Sequence, residues 1–196
     1  MEMKDVLVLL TNKWADWEAA YAIAEVNSVP EYAVKTIALD SAPKVSIGGV
    51  RAAVDYELSQ YRDFSRAALL ILPGGFSWGE SKHEEIAAFI AKAIEAKVPV
   101  AAICGSTIFL GRHGFLDKVK HTGDDLDLFL KEPGYGGKDF YVAAQVVTDK
   151  GLITANETAA VEFAYEIFKL LKIDEPAELD RWFDNFKRGM ARECPE

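Results

Sequence analysis

Short, unbroken apolar runs alternate along most of the chain with stretches whose apolar residues return every three or four positions. A short continuous run reads as a strand buried on both faces, and the longer period reads as a helix with one buried face. On this pattern Val6–Leu10 is the first strand, and Asp16–Val26 is the first helix, with Trp17, Ala20, Tyr21 and Ala24 at helical spacing. Tyr32–Leu39 is the second strand. Between Ser41 and Asp55, Pro43 and Gly48-Gly49 interrupt short β-prone pieces, which predicts a small excursion or hairpin at the sheet margin. Ala67–Leu72 is a buried strand ending in Pro73-Gly74-Gly75. Glu84–Ala96 is a helix with Ile86, Phe89, Ile90 and Ala93 inward, Val98–Ile103 a further strand, and a helix from about Thr107 stops near Gly114. Lys118–Thr122 then reads as extended, Asp124–Leu130 as a short helix begun and capped by Asp124 and Asp125, and Pro133–Gly137 as a loop. Tyr141–Val147 and Leu152–Ala155 read as strands joined through Asp149-Lys150-Gly151. Two helices close the pattern: Ala159–Leu171, striped by Phe163, Ile167 and Leu170, and Glu178–Arg188, with Leu179, Trp182, Phe183 and Phe186 as its packing face.

Strands alternating with helices predict an α/β fold, a doubly wound, mostly parallel sheet sandwiched by helices. The 196 residues fit one domain, 1–196, and 50% apolar residues suffice for a substantial core. A net charge of -9 with no basic run argues against nucleic acid or an anionic membrane surface as partner, since both require a positive face. The N-terminus enters a short apolar strand without a cleavage signature, and no apolar run is long enough to span a bilayer, so a cytoplasmic protein is expected. The two cysteines make no disulfide framework, and Cys194 in its polar tail reads as a free thiol without a role.

Candidate chemistry concentrates at Cys104. An apolar strand runs into it, a helix starts after it, and the small residues Ala102, Gly105 and Ser106 allow a sharp turn that holds a nucleophile up at the strand end. Unpaired N–H groups at a helix start favour thiolate, so the Cys104 pKa is expected to fall below the ordinary value of about 8.5. Gly74-Gly75 places backbone N–H groups after a buried strand, where they serve either as a plain turn or, with the N–H of Gly105, as an oxyanion hole. Among the histidines, His113 fits a helix C-terminus, and His83 lies at the exposed start of a helix. His121, downstream of the elbow, is the candidate to assist Cys104. No Cys-x-x-Cys or His-x-x-x-His spacing supports a metal site, and no cofactor is expected.

Four short pieces, in this order, resemble the DJ-1/PfpI family within the class I glutamine-amidotransferase-like superfamily. They are Asp16-Trp17-Glu18, Leu72-Pro73-Gly74-Gly75, Ala101-Ala102-Ile103-Cys104-Gly105, and Ile153-Thr154-Ala155 ahead of Glu162-Phe163-Ala164. The resemblance covers nearly the whole chain and implies a flavodoxin-like sandwich with the cysteine at the carboxyl edge of the sheet. It also implies that Glu18 is a protonated carboxyl beside the sulfur, that Gly74 and Gly75 line the site, and that the protein is a homodimer. On the residues alone Glu18 reads as a helix-start carboxylate favoured by the macrodipole, and it is the resemblance that moves it to the site.

The chain departs from its relatives in two places. Protease-like members have a histidine directly after the cysteine, where this chain has Gly105, and glutaminases use a downstream His-x-Glu pair that His121-Thr122-Gly123 breaks. Peptidase and glutaminase activity are therefore not expected. Two functions fit. In one, Cys104 attacks a small electrophile such as a reactive carbonyl, amide or thioester, with Glu18 as proton shuttle, Gly75 and Gly105 as oxyanion donors and His121 assisting. In the other, an oxidant converts Cys104 to sulfinic acid, and the protein is a redox sensor or stress-response protein.

Overall fold

The computed structural model describes residues 3–80 and 84–190. Strands β1 (Lys4–Leu9), β2 (Tyr32–Ala38), β3 (Lys44–Val45), β4 (Arg51–Ala52), β5 (Tyr56–Glu57), β6 (Ala67–Leu72), β7 (Val100–Ile103), β8 (Val146–Asp149) and β9 (Leu152–Ala155) are joined by six α-helices. These are α1 (Ala20–Asn27), α2 (Glu84–Glu95), α3 (Gly105–Arg112), α4 (Leu126–Leu130), α5 (Ala160–Leu171) and α6 (Pro176–Arg188). Seven strands form one sheet in the order β5-β2-β1-β6-β7-β9-β8, parallel except for β8 against β9. The pair β3–β4 is the separate antiparallel hairpin expected between Ser41 and Asp55.

The central strands are continuously apolar because both sheet faces are covered. Leu7 and Leu9, Leu70 and Leu72, and Val100 and Ala102 turn to one side, where Ile86, Phe89 and Ile90 of α2 and Phe109 of α3 meet them. Val6 and Val8, Leu69 and Ile71, and Ala101 and Ile103 turn to the other, against Ala22 and Val26 of α1 and Phe163, Ile167 and Phe168 of α5. The α2 residues expected inward are the four that are buried. This is the layered α/β arrangement the periodicity predicts and the flavodoxin-like sandwich the resemblance implies. Among the described residues no helix is long and apolar enough to cross a membrane.

Some elements differ from the pattern reading. Helix α1 begins at Ala20 rather than Asp16, because the Ala15 N–H donates to the Gly74 carbonyl at 3.2 Å and Asp16 accepts the Gly48 N–H at 2.8 Å. Glu18 therefore sits in a turn ahead of the helix. Lys118–Thr122 is not a strand; His121 alone makes an isolated bridge, to Tyr141. The N–H groups of His121 and Val142 donate across that bridge at 3.1 and 2.8 Å, so β8 starts only at Val146. On α6 only Leu179 is buried, while Phe186 stays 47% exposed and stacks on Trp182. His113 is the C-cap of α3, as its position suggests. His83 and Cys194 lie outside the described residues.

Asp125, not Asp124, caps α4, its carboxylate accepting the Asp127 N–H at 2.9 Å. Asp125→Ala is expected to lower stability in urea unfolding by about 1 kcal/mol, the ordinary worth of an N-cap. An unchanged midpoint would show that α4 is held by the packing of Phe129 alone.

Candidate active site

Four neighbouring strands, β1, β6, β7 and β9, end at the same carboxyl edge of the sheet. The segments leaving them carry Glu18, Gly74-Gly75, Cys104 and Glu157, which is where open α/β sheets place their sites. Cys104 holds φ 58° and ψ -131°, a strained conformation for a residue with a side chain. It persists because its neighbours fix both of its peptide groups. The Cys104 N–H donates to the Ala155 carbonyl at 3.0 Å, and its own carbonyl accepts the Thr107 N–H at 2.9 Å and the Thr107 hydroxyl at 2.6 Å. The Ser106 hydroxyl bonds the Leu72 carbonyl at 2.7 Å and accepts the Ile103 N–H at 3.0 Å, locking β6 to the elbow. Helix α3 then starts at Gly105.

Glu18 is 1% exposed. Its Oε2 accepts the Gly74 N–H at 2.5 Å, while Oε1 is buried with no hydrogen-bond partner among the described residues. Burial raises its pKa to about 7; the Gly74 N–H and an interaction with the Cys104 thiol pull downward, and Asp124 and Glu157 push upward. A neutral or half-neutral Glu18 beside the sulfur is what the resemblance implies.

The expectation for the cysteine itself is reversed. Burial, followed by the charges of Glu18 and Asp124, pushes the Cys104 thiol above its ordinary value. The helix start acts through the Gly105 N–H, which lowers the pKa, but this is outweighed. A carboxylate oxygen of Asp124 lies within 4.8 Å of the sulfur. Asp124 is itself positioned by the Glu157 N–H, which reaches its Oδ1 at 2.7 Å, and by Gly123, where a Cβ would lie 2.6 Å from the Thr107 hydroxyl. One ligand-type atom from each of Cys104, Asp124 and Glu157 lies within 4.8 Å of the other two.

The glycines divide their roles. The Gly74 N–H is taken by Glu18, so Gly74 orients the carboxyl instead of serving an oxyanion; a Cβ there would lie 2.7 Å from the Cβ of Cys104. Gly75, at φ +136°, has its N 4.0 Å from the place a Gly105 Cβ would occupy. The Gly75 carbonyl oxygen, at 3.1 Å, and the indole of Trp78, at 3.6 Å, lie closer to that point.

His121 is not brought into this set. It is fully buried among Phe129, Tyr135 and Tyr141. Its Nδ1 bonds the Val119 carbonyl at 2.7 Å and its Nε2 the Tyr135 hydroxyl at 2.8 Å. A carbonyl only accepts, so Nδ1 carries the proton and Nε2 accepts from the tyrosine. Burial keeps the ring's pKa below its ordinary value. His121→Phe is expected to lower stability by about 2 kcal/mol, by stranding those two polar partners, and to leave the alkylation rate of Cys104 unchanged. A large fall in that rate would return His121 to the site.

Sequence reasoning missed two residues. Asp124 reads as part of a helix cap, and nothing local distinguishes it from Asp125. Glu157 carried a usable signal: it follows directly on β9, the neighbour of the nucleophile strand.

Comparison with known proteins agrees with this architecture. The DJ-1/PfpI family model matches residues 4–170. The chain is 34% identical to the Bacillus subtilis (strain 168) protein named uncharacterized protease YoaZ, over 93% of this chain and 90% of that protein. The crystal structure of the thiJ/pfpI family protein from Bacillus anthracis superposes with TM-score 0.87 at 35% identity, covering 95% of this chain and 92% of that one. The DJ-1 superfamily protein Atu0886 from Agrobacterium tumefaciens does so with TM-score 0.85 at 29% identity, covering 95% and 100%.

Proposed function

Because the chain belongs to the DJ-1/PfpI family, we propose that Cys104 is a nucleophile that acts catalytically on small electrophiles, of which reactive carbonyls are the simplest. The observation that carries this reading is the strained elbow, which holds the Cys104 sulfur within 4.8 Å of a carboxylate oxygen of Asp124. As sulfur attacks the carbonyl carbon, the thiol proton passes to Asp124, and the electron pair of the C=O bond moves to oxygen. Gly75 and Gly105 are the candidates to supply backbone N–H groups to the developing oxyanion, and Glu18, with a pKa of about 7, is suited to deliver and retrieve a proton near neutrality.

The redox-sensor reading is weaker on physical grounds. Sensor cysteines are solvent-exposed, whereas Cys104 is half-buried. The word protease in a relative's name is not extended to this chain, in which Gly105 follows Cys104 and His121 is hydrogen-bonded elsewhere. A cytoplasmic location and a homodimer belong to the same proposal. A reduced thiol at the centre fits a reducing compartment, and the exposed Trp17 and Phe76 beside the site are candidates for a subunit contact.

The deciding experiment incubates the protein with methylglyoxal and, separately, with dilute peroxide, following carbonyl loss and intact mass. Many turnovers of carbonyl per protein are expected. Stoichiometric gain of two oxygen atoms without turnover would replace the catalytic reading with the sensor.

A further inference from the structure

We propose that the small cavity between the carboxyl ends of β1 and β2, walled by Thr11 and Lys44, binds a single weakly hydrated monovalent anion of the chloride class. The inference goes beyond the nucleophile reading and does not depend on it, since no residue that lines this cavity belongs to the candidate active site.

The cavity measures about 40 Å³. A water molecule takes up roughly 30 Å³ in the liquid, so there is room for one particle of that size. Thr11 follows β1, Lys44 opens the β3–β4 hairpin, and both line the space from inside the fold. Lys44 is 5% exposed, and its ammonium bonds one oxygen of Asp40 at 2.5 Å. That ion pair is lopsided. The Asp40 side chain is 63% exposed and screened by water, whereas the Lys44 side chain is 6% exposed, so the positive end is the dry one. An ammonium has three protons to donate, and among the described residues only Asp40 accepts one.

A second observation points to a ligand independently of the lysine. Thr11 is 4% exposed, and its Oγ1 has no hydrogen-bond partner. A buried hydroxyl left in that state is costly. An anion in the cavity accepts from the hydroxyl and the ammonium together and neutralises a buried positive charge, which a water cannot do.

The remaining wall selects the kind of anion. Leu10, Leu39 and Ile86 are apolar and return no hydration, so fluoride, sulfate or phosphate would lose more to water than two donors give back. Chloride and bromide shed their water most cheaply. Ile86 lies in the first turn of α2, whose positive dipole end adds to the attraction, while Glu84 and Glu85 of that turn are exposed. Asn12 and Asp40, also in the wall, are exposed, which gives an ion a way in. The hairpin already meets the loop after β1 here, the Lys13 N–H donating to the Val45 carbonyl at 2.6 Å and the Val45 N–H to the Asn12 side chain at 3.2 Å. A bound anion adds a bridge from Thr11 to Lys44 across the same join.

The test titrates the full chain with sodium chloride against sodium gluconate at constant ionic strength, following chloride NMR linewidth and the urea unfolding midpoint. Excess line broadening and a saturable rise of the midpoint with chloride are expected, and sulfate or fluoride should not substitute. Lys44→Met should abolish both responses, and it leaves the exposed Asp40 in water. Thr11→Val keeps the shape of the side chain and should need at least about tenfold more chloride. In gluconate alone its midpoint should be no lower than that of the wild type, because the hydroxyl it removes has no partner. The proposal is overturned if neither signal responds to chloride, which would mean that water fills the cavity. It is equally overturned if both variants respond as the wild type does, the binding then being adventitious and at the surface, or if sulfate competes on equal terms with chloride.

Discussion

Glu18→Gln is expected to make the protein more stable than the wild type by about 3 kcal/mol at pH 8, with the difference vanishing as the pH falls to 4.5 and below. The carboxyl has a pKa of about 7 in the folded protein against an ordinary 4.5. Below the lower value both states hold the proton, and the group contributes nothing pH-dependent. Between the two, the unfolded chain releases the proton while the folded chain retains it, so stability falls as pH rises. Above about 7 the loss is complete and constant, because folding then buries a charge beside Asp124 and Glu157. Glutamine keeps an oxygen to accept the Gly74 N–H, carries no charge at any pH and leaves the packing volume unchanged. The same substitution is expected to speed alkylation of Cys104 at pH 8 at least about tenfold, since a like charge that pushes the thiol up is gone. Urea unfolding at pH 5, 6, 7 and 8 checks the first outcome and iodoacetamide kinetics the second. Parallel stability curves for the two proteins would show that Glu18 is not buried as a reluctant anion.

Gly75→Ala is expected to cost about 3 kcal/mol or more of folding stability. A Cβ at this position would lie 2.2 Å from the Lys13 carbonyl oxygen and 2.8 Å from the Trp14 Cα, both backbone atoms that no side-chain rotation can move aside. The φ of +136° adds strain of its own. The loop after β1 is held in place here, as the Phe76 N–H donates to that same Lys13 carbonyl at 3.1 Å. Displacing it shifts the segment that leads to Glu18 as well as the Gly75 N–H. Gly49→Ala is the control: its φ of +85° is also unfavourable for alanine, but nothing lies within 4 Å of the added carbon, so about 1 kcal/mol is expected. Equal losses in urea unfolding for the two variants would mean that conformational strain, and not the collision with β1's loop, sets the requirement for glycine.

The sequence by itself determined the layers of this protein. Ala67–Leu72 and Leu152–Ala155 were legible to the residue, because a strand covered on both faces must be apolar without interruption. Ile86, Phe89, Ile90 and Ala93 were legible because one face of a helix repeats at 3.6 residues. Cys104 was legible because a strand, a nucleophile and a helix start follow one another within a few residues. Tertiary structure decided the rest, and the reason is range. Asp124 and Asp125 are adjacent carboxylates with equal claim to a cap, and only the approach of Glu157 assigns one to the sulfur and the other to α4. His121 is as near to the elbow in sequence as Asp124, but the aromatic rings around it and the Val119 carbonyl hold it elsewhere. The direction of the thiol's pKa followed the same logic. The helix start beside Cys104 is local and visible in the sequence, whereas burial and the charges of Glu18 and Asp124 arrive from segments distant in the chain and outweigh it. Periodicity reports which face of an element is dry; which charges meet at the end of four strands is decided by strand order, and no local pattern encodes that.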